Sequence, residues 1–383
     1  MLASGAAQGA TAPAGVGNLK AALQRDLDAY LKERSSAEHL SALSLAVSLA
    51  SDRLTLEVTA GTTTYGGRTP VVPSNLFQIG SNTKAFTGVA ILQLEAQGRL
   101  SIDAPLGAYL PEYPAYRKLT LRRLLNMTSG LDSYDNTPAW ERLFADNPSA
   151  QVSTDALIRL VYPQIKYPPG SRYAYSNTGY LLAQEVVAAR SPLHSYAAEI
   201  ARIAAGAGLH DTFYSSHLYP PAIARRVVAG YYENDDAGFG KFLGKDMSGY
   251  SLSWAQGAGS MVSTPADLVS WARALYGGKL LPPKQQRELL SLISIKTGKP
   301  LRVPTAADPA GFGLGVAERY DPKLGTFWFY QGETLGFRAA HLYFPATGLV
   351  VALFANSRPV ESKSKLPQLF ATIDATLKAN GPR

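Results

Sequence analysis

Gln78-Ile79-Gly80-Ser81-Asn82-Thr83-Lys84 begins the most informative segment of this chain. After Pro70 and Pro73, the run from Ser81 to Gln97 places Phe86, Val89, Leu92 and Leu94 at helical spacing, and Gly98 follows as a C-cap. The spacing predicts a buried helix with Ser81 in its first turn. Residues i and i+3 share a helix face, about 5–6 Å apart, so Ser81 and Lys84 meet. A hydroxyl in the first turn lies where backbone N–H groups are free and the helix dipole is positive. A serine hydroxyl needs a nearby base to become a nucleophile. A free lysine, with a pKa near 10.4, is neutral in only about one copy in a few thousand at pH 7. Burial lowers that pKa and makes Lys84 a base; alternatively Lys84 stays charged and lowers the pKa of a third group. The tetrad alone recurs by chance in many proteins.

A second segment adds to it. In Pro168-Pro169-Gly170-Ser171-Arg172-Tyr173-Ala174-Tyr175-Ser176-Asn177 a Pro-Pro-Gly turn feeds a short loop, and Leu181, Leu182, Val186 and Val187 follow at helical spacing. Tyr175 would relay a proton between Ser81, Lys84 and a leaving group, and Asn177 would donate to a substrate carbonyl. Read alone, Tyr175 is one of 21 tyrosines and fits a core equally well.

Composition bounds the rest. The chain has 383 residues, 46% of them hydrophobic and 17% charged, enough for a sizeable core. No run approaches the roughly 20 apolar residues of a membrane span, so no integral membrane contact is expected. The absence of cysteine excludes disulfides, thiolate metal sites and a thiol nucleophile. The net charge of +8 is scattered, densest at Arg122-Arg123 and Arg225-Arg226, with no basic stripe interleaved with aromatics, so nucleic acid is not an expected partner. Met1 to Gly15 is rich in small residues and lacks the apolar core of an intact signal peptide.

Along the chain, residues 19–34 read as a helix through Leu19, Leu23, Leu27, Tyr30 and Leu31. Residues 42–50 and 53–60 read as a hairpin turning near Asp52-Arg53. Thr264-Pro265-Ala266-Asp267 is a helix start, with Thr264 as cap. Four strand-like runs return at 311–317, 325–332, 336–345 and 349–356, and a helix with Leu366, Phe370, Ile373 and Leu377 on one face closes the chain. The economical fold is α+β: an antiparallel sheet flanked by helices and built from both termini, with a mostly helical insertion. The expected divisions are a flexible tail over 1–17, an α/β domain from 18–106 and 300–383, and a helical domain over 107–299.

Together these segments resemble the serine β-lactamase and penicillin-binding-protein superfamily, especially its class C-like branch with D-alanyl-D-alanine carboxypeptidases, D-aminopeptidases and esterases. Leu124-Leu125-Asn126-Met127-Thr128-Ser129-Gly130-Leu131 resembles the branch's His-Thr-Ser-Gly-Leu segment, with Asn126 replacing the histidine. Gly257-Ala258-Gly259-Ser260 through Asp267 and Gly311-Phe312-Gly313-Leu314-Gly315 resemble two further segments. The third catalytic motif of the family is Lys-Thr-Gly or His-x-Gly. Lys296-Thr297-Gly298 matches its letters but falls in a polar loop, whereas Tyr330-Gln331-Gly332 ends a strand in the right order. The resemblance therefore assigns the motif to Tyr330, Gln331 and Gly332. It implies an oxyanion hole from the N–H groups of Ser81 and Glu333, and leaves Arg338 to supply the charge that Tyr330 lacks.

The implied function is acyl transfer to water through an acyl-enzyme on Ser81, assisted by Lys84 and Tyr175, with no metal and no organic cofactor. An esterase or peptidase is expected, acting on a small-molecule ester, peptide or β-lactam, with Trp254, Trp328 and Tyr330 suiting an apolar group. The alternatives are a non-hydrolytic penicillin-binding sensor and an acyltransferase. The five histidines read as structural or exposed. The expected compartment is periplasmic or secreted, else cytoplasmic.

Overall fold

The computed structural model describes residues 14–49, 54–236 and 238–380. Nine antiparallel strands form the main sheet, in the order Thr55–Gly61, Ala42–Ser48, Leu349–Ala355, Arg338–Phe344, Gly325–Glu333, Ala317–Asp321, Ala310–Phe312, Leu292–Ser294 and Pro300–Leu301. The sheet thus draws on both ends of the chain, and helices cover it. The first two strands pair Ser48 with Thr55; the expected turn at Asp52-Arg53 lies outside the described residues.

The first helix runs from Ala14 to Glu38, so residues 14–17 of the expected tail are helical and residues 1–13 lie outside the described residues. Its Leu19, Leu23 and Leu27 pack with Leu366, Leu369 and Ile373 of the closing helix, Leu366–Asn380, against one sheet face. The opposite face carries the larger core, including Phe86, Val89, Leu92, Trp271 and Leu275 from the helices Thr83–Ala96 and Pro265–Tyr276. Thr264 caps the latter helix, its hydroxyl accepting from the Asp267 N–H at 3.3 Å.

One expected strand is divided. Residues 311–317 do not run through: Ala310–Phe312 ends, the chain turns, and Ala317–Asp321 begins. The Gly313 N–H bonds the Val316 carbonyl at 2.7 Å, and Gly315 has φ +94°. A side chain at Gly315 would also stand 2.7 Å from the Lys84 carbonyl. The glycines therefore make a turn against the helix that carries Lys84.

Among the described residues, no helix is long and apolar enough to cross a membrane, and no cluster of His, Asp and Glu side chains is grouped to hold a metal.

Candidate active site

The nucleophile segment enters from the short strand Phe77–Gln78, makes a tight turn over Gly80–Asn82, and continues as the helix Thr83–Ala96. Ser81 therefore lies in the turn rather than in the α-helix proper. The i to i+3 relation survives: Lys84 Nζ donates to Ser81 Oγ at 3.0 Å and to the Ala258 carbonyl at 2.7 Å. Lys84 is fully buried. Desolvation pulls its pKa down to about 7, against a smaller opposing pull from Asp135. Roughly half of the lysine is then a neutral amine at pH 7.

Tyr175 completes the cluster. Its hydroxyl lies 2.7 Å from Ser81 Oγ, and Lys84 Nζ stands 5.0 Å from its ring centre. Crowding by protein atoms pushes the phenol up, so it is a neutral acid at working pH. The ring's other side is open to the cleft.

The turn is pinned to the sheet. A side chain at Gly332 would stand 1.9 Å from the Ile79 carbonyl and 2.6 Å from the Ser81 nitrogen. One at Gly80, φ +49°, would stand 2.6 Å from the Glu333 nitrogen. Only glycines permit this approach, which brings the Ser81 and Glu333 nitrogens to the same point. Asn82 locks it: its Nδ2 donates to the Ile79 carbonyl at 2.8 Å and the Ala339 carbonyl at 3.0 Å, and its Oδ1 lies 2.9 Å from His341 Nδ1.

Ser81 stands between two lobes. One, a cavity of about 390 Å³, is lined by Asn177, Asp135, Glu141, Asp236, Glu333 and Arg358, with Trp140, Phe239 and Trp254 as its aromatic wall. Arg358 is engaged there, bonding Asp236 and lying 3.5 Å from Glu333. Four carboxylates against one guanidinium give this lobe a negative field. The other lobe, also about 390 Å³, is lined by Tyr173, Tyr175, Phe312, Arg319, Tyr330 and Gln331. Ser81 and Glu333 border both lobes.

Several expected side chains are placed differently from their expected roles. Asn177 does not offer its N–H₂ to a substrate carbonyl: Nδ2 donates to Asp135 Oδ2 at 2.6 Å. The opposite amide orientation would set oxygen against carboxylate, so the assignment is secure. Its Oδ1 is left buried without a partner, an acceptor awaiting an N–H. Arg338 does not reach the cleft. Its Nη2 donates to Glu38 at 2.8 Å and its Nε to the Ser357 carbonyl at 2.7 Å, on the other sheet face. Tyr330 is a wall: its ring meets Phe312 edge-on at 5.9 Å, and its hydroxyl, beside Tyr175, closes no hydrogen bond of normal geometry. Gln331 Nε2 donates to Glu333 Oε1 at 2.6 Å. Trp328 stacks on Tyr276 at 5.2 Å, inside the fold rather than in the cleft. Lys296 is exposed and donates to the Ala307 carbonyl at 3.4 Å, in the turn between two edge strands. Asn126, in the place of the family's histidine, accepts from Thr128 Oγ1 at 2.7 Å.

Sequence reasoning missed Asp135, the Ala258 carbonyl and His341. Asp135 lies just beyond Ser129-Gly130-Leu131, and Ala258 lies within a segment already singled out. Neither carried a motif of its own.

A family profile described as Beta-lactamase matches residues 27–371. A penicillin-binding protein of Bacillus subtilis (strain 168) is 26% identical over 274 residues, covering 70% of this chain and 58% of that protein. The chain thus spans about three-fifths of the length of the first relatives it matches. Among solved structures, a D-stereospecific amidohydrolase from Streptomyces sp. aligns with a TM-score of 0.73 and 25% identity, over 88% of this chain and 94% of that one. A D-amino acid amidase from Ochrobactrum anthropi SV3, complexed with L-phenylalanine amide, aligns with a TM-score of 0.78 and 24% identity, over 95% and 100%.

Proposed function

Because the chain belongs to the beta-lactamase family, in its class C-like branch, we propose that it is a serine hydrolase that cleaves amide bonds through an acyl-enzyme on Ser81. The observation that carries this reading is the Lys84–Ser81–Tyr175 cluster, with a desolvated amine and a neutral phenol on one hydroxyl. Neutral Lys84 takes the Ser81 proton as Oγ attacks the carbonyl. The N–H groups of Ser81 and Glu333 hold the oxyanion; losing one such donor costs about 3–4 kcal/mol of barrier. Tyr175 gives its proton to the departing nitrogen, and the Lys84 ammonium across the ring restores it. Water then attacks the ester with Lys84 again as base.

The acyl group lies in the lobe of Asn177. Its unpartnered Oδ1 and the surrounding carboxylates suit an ammonium. The substrate is therefore an amide of an amino acid with a free α-amino group, and the titles of the neighbouring structures make D-configured amides the first to try. Esters of the same acyl group would use the same machinery.

The test is intact-protein mass spectrometry after a serine-directed acylating agent, with steady-state hydrolysis of D-phenylalanine amide. The expected result is a single adduct, absent in Ser81→Ala, and loss of turnover when the substrate amine is acetylated. Labelling or hydrolysis that persists in Ser81→Ala refutes the nucleophile; equal turnover of the acetylated amide refutes the ammonium subsite.

A further inference from the structure

The two lobes divide the reaction. Asn177 lines only the acidic lobe and Tyr175 only the other. On the reading above, on which this inference rests, Tyr175 protonates the departing nitrogen, so the leaving group occupies the Tyr175 lobe. Among the described residues lining that lobe, the one cation is Arg319. The family's motif cation is absent, since Tyr330 is uncharged and Arg338 is bound to Glu38.

Arg319 has no carboxylate within ion-pair distance and no hydrogen bond among the described residues, and its guanidinium carbon lies 4.7 Å from the Phe329 ring centre. Register gives that contact a direction. Arg319 pairs with Phe327, and Phe329 lies one pleat further along the strand that ends at Glu333. The side chain is therefore laid along the sheet toward Ser81, over an apolar ring. The sole carboxylate of this lobe, Glu333, already accepts from Gln331 and faces Arg358. A planar fork of N–H donors in such a position matches a carboxylate.

We propose that Arg319 receives a carboxylate carried by the leaving group, so that the preferred substrate is an aminoacyl–amino acid rather than a simple amide. Ammonium in one lobe and carboxylate in the other make it a free dipeptide. Longer peptides extending from either end would lose one of the two contacts.

The experiment compares D-phenylalanyl-glycine with D-phenylalanyl-glycinamide, which differ only in the terminal charge. The parent should favour the dipeptide in kcat/KM. Arg319→Gln should lower the dipeptide value about ten- to hundredfold, as expected for a lost charged hydrogen bond, and leave the glycinamide within about twofold. Arg319→Lys should recover part of the loss. Because the glycinamide reports folding and chemistry in the same sample, a parallel loss on both substrates overturns the inference, as does an undiminished dipeptide rate. Turnover of the glycinamide without charge preference overturns this inference alone; turnover of neither by the parent overturns the amidase reading with it.

Discussion

On one side of the sheet Lys84 is buried with an alcohol and a backbone carbonyl as its partners. On the other, Arg338 is buried with Glu38 at 2.8 Å, and Glu38 also accepts from Tyr30 at 2.8 Å and Arg34 at 3.0 Å. The desolvation is similar and the outcomes are opposite. Lys84 has no adjacent carboxylate to hold its charge, and the amine is pulled toward neutrality. Burial alone would raise the Glu38 carboxyl, but Arg338 and the bonds from Tyr30 and Arg34 outweigh it and hold it below its ordinary value. An unpaired buried cation is available as a base. A paired one ties the first helix and the segment before the last helix to the sheet edge, through Ser357 and Ser364.

Exchanging the two environments should separate activity from stability. The largest effect is expected at Lys84→Met. Removing the base should lower kcat/KM about 10⁴-fold or more, as for members of other catalytic units. Stability should hold or rise, because a desolvated amine is deleted. Loss of folding with activity per folded molecule retained would reverse the assignment. Next comes Arg338→Met, which leaves Glu38 short of its main counter-charge. Chemical denaturation should show a loss of about 3–5 kcal/mol, while kcat/KM of the folded fraction stays at the parental value.

The same contrast predicts opposite pH behaviour. Lys84 works as the neutral amine, so kcat/KM should climb as pH rises through about 7 and level above it. Glu38 has a folded pKa below its unfolded one. Its stabilisation is present above the unfolded value of 4.5 and disappears as pH falls through the folded value. The stability gap between parent and Arg338→Met should therefore close in acid. An activity limb that tracked the stability limb would mean that unfolding, not Lys84, sets the profile.

Ser81 and Lys84 were legible because their relation is local: a turn fixes i and i+3 whatever the rest of the chain does. Tyr175 was legible only through the order of several segments, since a lone tyrosine carries no signal. Arg338 was misread for a reason that strand alternation explains. Ala339 and His341 face the nucleophile's side, so Arg338 faces away, but the sequence does not say which side holds the cleft. The role of the Ala258 carbonyl was invisible, because a backbone oxygen is shared by every residue type. The role of Asn177 was inverted by a neighbour, Asp135, that lies far from it in sequence.

His341, read from the sequence as structural or exposed, is buried beside the catalytic turn and makes the smallest and most diagnostic test. Both Asn82 Nδ2 protons go to the carbonyls of Ile79 and Ala339, so Oδ1 must accept and His341 Nδ1 must carry the proton. His341 Nε2 is then a lone pair, and it accepts from Tyr276 OH at 3.0 Å. Burial pushes the imidazole down to about 3, so this tautomer persists across the working range. The chain Tyr276–His341–Asn82 holds the turn against the sheet, and with it the two oxyanion nitrogens. His341→Leu leaves Asn82 Oδ1 unpaired and lets the turn drift; misplacement on the order of 1 Å costs as much as about a hundredfold. A fall in kcat of about tenfold, with KM little changed, is expected, and Tyr276→Phe should cost only a fewfold. The pH limb near 7 should stay where it is, because His341 holds the turn without titrating. If His341→Leu moved that limb, the group titrating in the parent would be His341, and the contrast between the two buried cations would lose its catalytic half.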